Sequence, residues 1–304
     1  MRLLLATHQL DAPGGTELWT MDMARALQRQ GHEVTVFTLV DGACAERIRP
    51  WAPVYVAQCP PGVFDGALIN HKTCLHALRL SPCPKVFTSH GPGHELEWPE
   101  PGADAYVAVS PEIIRHWPGY DWRCIPNGVD LDRFQARGTQ QDPPRVLSLC
   151  KNRLAGSMVA EACKRQGLPF RGVHYQDSPT WNVAGLIVQA DLVVGSGRTA
   201  REGLACNRPV YVFDVRGQDR GPRADGWVMA DNVDCLADAN FSTRTADLPV
   251  TIEDLEQALR YPPANDGWSR GWVEKNSNVW ACAKAYTQLI KDLTDERIQQ
   301  ERAA

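Results

Sequence analysis

Short apolar runs separated by helical patterns constrain this chain more than any other feature. In the first half, LLLAT, EVTVFTL, PVYVAQ, FDGALIN, KVFTS, AYVAVS and WRCIP read as strands. TELWTMDMARALQRQG, between the first two, reads as a helix whose Leu18, Met21, Ala24 and Leu27 recur at spacings of three. That spacing gives a surface helix one apolar face, and Gly31 stops it. Strand, glycine loop, helix and strand make a right-handed unit by default, and several such units make an open, mostly parallel sheet. The pattern breaks at 135–144, QARGTQQDPP, a polar stretch with Gly and Pro that reads as a linker. It restarts with RVLSLC, a helix near 153–166, FRGVHY, a helix near 180–190, DLVVGS and PVYVFDV. The expectation is an α/β chain of two similar domains facing each other. A helical stretch over about 270–297 follows, with Val279, Ala283, Tyr286 and Ile290 on one face, fraying into solvent beyond Thr294.

Composition fits this reading. A length of 304 residues suits two ordinary domains, and 43% hydrophobic residues suffice for real cores. A net charge of −4 argues against a general nucleic-acid surface or a polybasic membrane surface. The ten cysteines are scattered, with no CxxC and no zinc-type spacing, so free thiols in a reducing cytoplasm are the simplest account. The only apolar run near the start, Leu3-Leu4-Leu5, is too short for a signal core or a membrane span. Several tryptophans outside the strands either pack helices or line a carbohydrate or apolar acceptor site.

The chemistry concentrates in 191–210, DLVVGSGRTAREGLACNRPV. A strand stops at Gly195-Ser196-Gly197, and a helix starts near Thr199 with Glu202 in its first turn. Backbone N–H groups at such a start suit a diphosphate, and a carboxylate there can accept both hydrogen bonds of a sugar diol. The plain alternative is a tight turn followed by a helix with a cap partner. A second glycine loop, Gly14-Gly15-Thr16-Glu17, lies between the first strand and the first helix. It is not GxGxxG, and no GxxxxGK(S/T) loop exists. Its glycines permit close approach of a ligand; alternatively Thr16 simply caps the helix.

Histidines stand at or near strand ends. His90, in TSHGPG, reads as an exposed site group on a loop held by a rigid sheet. His8 reads as a packing residue, and His174 lies near the end of FRGVHY. His71 and His76 suggest metal binding only weakly, since no acidic or Cys partner supports it. Lys151, Arg153 and Arg198 follow strands or sit in the GSGRT loop, where a guanidinium can clamp a phosphate. Surface solvation is the ordinary fate of any one of them.

The chain resembles the family-4 nucleotide-sugar glycosyltransferases. The similarity rests on GGTELWTMDMARALQRQGHEVTVFT, AYVAVSPEIIRHW, IPNGVDLDRF and ADLVVGSGRTAREGLACNRPV, four matches in the family's order across most of residues 1–215. The resemblance implies the GT-B fold, two Rossmann-like domains facing across a cleft. It implies an acceptor-side domain over 1–135, rejoined by a helix near 275–292, and a donor-binding domain over 145–274. The donor is then a nucleotide-diphosphate sugar, a UDP- or GDP-sugar, with no cofactor required and no metal. The acceptor is a glycan, a lipid-linked sugar or a small molecule, and the pathway one of surface polysaccharide synthesis. Retention at the anomeric carbon is implied too.

Carried to this chain, Gly14 and Gly15 approach the donor phosphates or the acceptor, and His90 stands near the transferring sugar. Glu202 binds the ribose; Ser196, Gly197, Arg198 and Thr199, with Lys151 and Arg153, surround the diphosphate. His90, Arg198 and Lys151 carry the catalytic assignment. Asn127 and Gly128 mark the end of the first domain. Two departures stand out. The family's earlier glutamate, eight positions before Glu202, is Val194 here, and GSGRT replaces the usual EGFG. A non-catalytic binding protein and a sugar-nucleotide epimerase are the alternatives on the same fold.

Overall fold

A computed structural model describes residues 1–136, 141–174, 180–215 and 221–303. The chain forms two units, Met1–Gly128 with Val279–Ala304, and Val129–Asn278. Among the described residues, the first unit holds β1 (Arg2–Gln9), α1 (Gly15–Arg29), β2 (Glu33–Val40), α2 (Ala43–Ile48), β3 (Val54–Val56) and β4 (Gly66–Ile69). It continues through α3 (Lys72–Ala77), β5 (Lys85–Ser89), β6 (Ala105–Ala108), α4 (Pro111–His116) and β7 (Trp122–Cys124). The strands lie in the order β3-β2-β1-β4-β5-β6-β7, and every pairing is parallel. Helices on both faces explain why LLLA and GALI read as continuous apolar runs: a parallel strand is buried on both sides.

The second unit holds β8 (Val146–Ser148), α5 (Arg153–Gln166), β9 (Phe170–Gly172), α6 (Val183–Gln189), β10 (Leu192–Gly195) and α7 (Arg198–Ala205). It ends with β11 (Val210–Val215), β12 (Pro222–Trp227), α8 (Val233–Asp238), β13 (Leu248–Pro249), α9 (Ile252–Arg260) and α10 (Trp268–Asn276). The sheet order is β13-β12-β11-β10-β8-β9, parallel from β9 to β11, with β12 and β13 added antiparallel. One apolar cluster, around Val193, Leu204 and Phe241, and another, around Val194, Phe213 and Leu255, cover its two faces.

Both sheets have a switch point, where successive connections leave in opposite directions. It lies between β1 and β4 in the first unit and between β8 and β10 in the second. Open α/β sheets bind ligands outside the carboxyl ends of such strands.

Four sequence expectations change. Helix α1 begins at Gly15 with Gly14 as its cap residue, so Thr16 lies inside the helix and caps nothing. The helix is buried on most of its circumference, Asp22 and Thr20 included, and is not a surface helix. The 270–297 stretch is two helices, α10 and α11 (Val279–Ala303), broken at Ser277-Asn278. Finally, α11 does not fray at Thr294, because Arg297 reaches Asp104 at 2.5 Å and the Pro82 carbonyl at 2.7 Å. Within the 135–144 segment, residues 137–140 lie outside the described residues.

Helix α11 packs into the first unit through the face seen in the sequence. Val279, Ala283, Tyr286 and Ile290 are buried, and the Tyr286 hydroxyl hydrogen-bonds Thr88 at 3.1 Å. No helix among the described residues is long and apolar enough to cross a membrane.

Candidate functional site

The switch point of the second unit is built around Asp214, at the end of β11. Its carboxylate is fully buried. The Ser196 hydroxyl donates to Oδ2 at 2.9 Å and the Lys151 N–H at 3.3 Å. The N–H groups of Asn152 and Val215 donate to Oδ1 at 3.2 and 2.9 Å. One carboxylate thus ties together the segments that leave β8, β10 and β11. Each bond is a charge-assisted contact in a dry setting, where it is strong.

Gly197 then turns the chain into α7. Its φ of +62° and ψ of −122° suit glycine alone. Its N–H donates to the Phe241 carbonyl at 2.8 Å. Behind this turn lies a loop in which Asn240, Phe241 and Thr243 all adopt positive φ. The fully buried Arg201 braces it: its guanidinium bonds Asn240, donates to Ser277 Oγ at 3.2 Å and lies 4.9 Å from the Phe241 ring centre. The α7 start is therefore fixed from behind.

This geometry alters the sequence picture in two ways. Helix α7 opens at Arg198, one residue early, so Glu202 stands in its second turn and adds no first-turn charge. Arg198 and Glu202, assigned to different parts of a ligand, hold each other: Nε to Oε1 is 2.6 Å, and both side chains are nearly buried. The Gly197 N–H is also spent on Phe241, which leaves the N–H groups of Arg198, Thr199 and Ala200 to form the first helical turn. Gly195 accommodates Thr199, since a Cβ there would lie 2.7 Å from Thr199 Cγ2. Lys151 and Arg153 are exposed, Arg153 at the first position of α5. His174 Nε2 donates to the Lys151 carbonyl at 2.7 Å. Beside them, Arg153, Gly156, Ser157, Phe170 and His174 line part of a cavity of about 410 Å³.

The first unit gathers a second polar group at its own switch point. His90, directly after β5, is half-buried and not an exposed loop group. Its Nε2 donates to Asn70 Oδ1 at 3.1 Å, Nδ1 lies 3.2 Å from Asn127 Oδ1, and its ring sits edge-on to Trp19 at 5.3 Å. Asn70 is held in turn by Thr20, at 3.1 Å. Asn127, a boundary marker by resemblance, is thus also a partner of His90.

In the Gly14-Gly15 loop, Gly14 is half-buried and Gly15 exposed. The Glu17 carboxylate folds over Gly14, and the Thr16 hydroxyl donates to it at 3.2 Å. Burial raises the pKa of Glu17, against the pull of hydrogen bonds from its own backbone and from Gln9 and Thr16.

His71 and His76 have separate partners. His71 Nδ1 accepts the His8 N–H at 2.9 Å, and burial pushes its pKa down to about 3, helped by the neighbouring histidines. His76 hydrogen-bonds Glu100 at 2.6 Å. Among the described residues no group of His, Cys, Asp and Glu could hold a metal ion. His8 bonds Thr73 at 2.9 Å, a packing role.

Asp214, Asn70 and Arg201 escaped the sequence reading. Asp214 and Asn70 left a signal, a polar residue at or next to the carboxyl end of an apolar strand in VYVFDV and FDGALIN. Arg201 left none, since an Arg in a helix usually faces water.

No protein-family model and no curated protein sequence matches the chain. Its similarity lies in structure. HepE from Anabaena, solved with UDP and glucose, superposes with a TM-score of 0.61 at 14% identity, covering 96% of this chain and 99% of that one. A TarM variant from S. aureus, solved with UDP, Fondaparinux and α-GlcNAc-glycerol, gives 0.63 at 10% identity over 95% and 100%. The chain has the GT-B fold. A Listeria monocytogenes protein assigned as a UDP-N-acetylglucosamine 2-epimerase also shares this architecture, with a TM-score of 0.57 at 11% identity over 97% of each chain.

Proposed function

We propose that this GT-B protein is a nucleotide-sugar-dependent glycosyltransferase. It moves a sugar from a UDP- or GDP-sugar to a hydroxyl acceptor with retention, in surface-glycan synthesis. The observation that carries the reading is the second unit's switch point. There one buried carboxylate joins the β8, β10 and β11 ends beside a helix start with basic neighbours, in a fold shared with proteins solved with UDP.

In this reading the second unit holds the donor and the first unit the acceptor. Charge develops on the leaving diphosphate. The first-turn N–H groups of α7, with Arg198, Lys151 and Arg153, stabilise it, and the N–H groups are held in place by the helix that they open. Glu202 accepts from the ribose diol. Since Arg198 and Glu202 are paired with each other, the diphosphate competes with Glu202 for the guanidinium, and the ribose competes with Arg198 for the carboxylate. His90 stands near the transferred sugar, and the leaving phosphate takes the acceptor proton.

The test is incubation with UDP-, GDP-, ADP- and dTDP-sugars, with and without an acceptor panel, reading nucleotide release. Release with glycoside formation supports the transferase. A sugar nucleotide interconverted without glycoside would assign the protein as an epimerase, the second reading. The Listeria structure favours that alternative, while Val194 in place of the family's first glutamate motivates a third, a protein that binds without catalysis. Nucleotide binding with neither outcome would make the protein a binding-only descendant.

A further inference from the structure

The geometry points to Asp214 as the positioning residue of the donor end, and this inference rests on the donor reading of the second unit. Asp214 is fully buried, so it cannot touch a ligand. What it touches is the frame of the ligand site. It takes the backbone N–H of Lys151 and Asn152 after β8, and the hydroxyl of Ser196 after β10, while it stands on β11 itself. These strands are neighbours in the sheet order β11-β10-β8. Two of the three tethered residues, Lys151 and Ser196, border the proposed diphosphate position, and Ser196 directly precedes the Gly197 turn into α7.

Two consequences follow from hydrogen-bond chemistry. Ser196 is buried too, and its proton is committed to Asp214, so the hydroxyl has none to donate to an unprotonated phosphate oxygen. The Lys151 and Asn152 N–H groups likewise point inward. The β8 loop therefore keeps the Lys151 and Asn152 N–H groups from a diphosphate. Asp214 sets which groups the loop presents, and it holds the distance between the Lys151 loop and the α7 start.

Asp225 supplies a control within the same unit. It too is a buried carboxylate collecting backbone N–H groups, from Thr245, Ala246 and Asp247, but on β12, away from the switch point. Asp214→Asn keeps the shape and replaces one acceptor oxygen by an NH2 group that faces other donors. The experiment compares wild type, Asp214→Asn, Ser196→Ala, Ser196→Thr and Asp225→Asn. UDP and GDP affinity is read by calorimetry, stability by urea unfolding, and backbone hydrogen exchange at Lys151, Asn152 and Gly197.

Asp214→Asn is expected to weaken nucleotide binding by about tenfold or more, the range of one charged hydrogen bond. It should also speed exchange at those three amides. Ser196→Ala should reproduce part of the affinity loss and Ser196→Thr restore it. Asp225→Asn should lose stability with wild-type affinity and wild-type exchange at the three amides. Equal affinity and equal exchange in wild type and Asp214→Asn overturn the inference, as does an affinity loss of the same size in Asp225→Asn. If Asp214→Asn does not fold, equal affinity in Ser196→Ala and wild type overturns it. A wild type that binds neither nucleotide sinks the donor reading instead, and exchange in Asp214→Asn still decides whether the carboxylate holds the loops.

Discussion

At the scale of single residues, Arg198 and Glu202 stand four apart on α7 and are both nearly buried, so each is the other's counter-charge out of contact with water. Arg198→Ala should lower turnover at least ~10-fold, about 1.4 kcal/mol of barrier, and it should also destabilise the fold by leaving the Glu202 carboxylate alone. Glu202→Gln should weaken free UDP or GDP, and calorimetry on the nucleotide without its sugar reads this directly. Unchanged affinity would return Glu202 to the role of a counter-ion for Arg198. The turn at Gly195 and Gly197 was legible in the sequence, because a strand that ends in glycines before a helix has few other meanings. The Arg198–Glu202 pairing was not, because a spacing of four permits it and only the burial of both side chains enforces it.

His71 gives a pH prediction. Its folded pKa of about 3 lies below the ordinary 6.5, so between those values the unfolded chain binds a proton that the folded chain refuses. Its contribution is complete above pH 6.5 and is lost as pH falls towards 3, with a slope of up to about 1.36 kcal/mol per pH unit. Urea unfolding at pH 6.5 and 5, before most carboxylates titrate, should show a loss of about 1–2 kcal/mol from this group. His71→Asn should flatten that slope whatever it does to absolute stability. Identical slopes in the two proteins would show that His71 is not the titrating group.

At the scale of elements, legibility followed local chemistry. Helix α5 was read at its true limits, since Asn152 caps its start with a 2.8 Å bond to Leu154 N–H and Gly167 ends it in the left-handed region. The strands β10 and β11 were read because they are apolar runs between glycine and proline signals. The antiparallel β12 and β13 were not: PRADGW has no alternating pattern, and Leu248-Pro249 is too short to carry one. The tail of α11 was missed because its anchor is a long-range ion pair, which no local pattern announces.

One glycine on β4 could not have been interpreted from sequence either. A Cβ on Gly66 would lie 2.6 Å from Ile290 Cγ2, so β4 is glycine there to admit α11. Gly66→Ala should destabilise the protein by about 1–3 kcal/mol, an overpacking cost. Ile290→Val in the same chain should recover part of it. Urea midpoints for the two single variants and the double variant measure the coupling, and strictly additive effects would mean that the two residues do not meet.

At the scale of the whole molecule, the two units differ in how the chain builds them. The second, Val129–Asn278, is continuous in sequence, and its two apolar clusters are drawn from within it. The first is discontinuous, because Val279–Ala304 belongs with Met1–Gly128. The segment brings the buried side chains Val279, Tyr286 and Ile290. At roughly 1.5–3 kcal/mol for each large side chain, their burial is comparable to the net stability of about 5–15 kcal/mol that a domain retains. A fragment of residues 1–128 should therefore lack a cooperative urea transition, and a peptide of residues 279–303 added in trans should restore one. A fragment of residues 129–278 should unfold cooperatively without help and, on the donor reading, bind UDP or GDP by itself. Cooperative unfolding of residues 1–128 alone would make α11 an accessory to a sheet that is complete without it. Nucleotide binding by 1–128 with α11, and none by 129–278, would place the donor in the wrong unit.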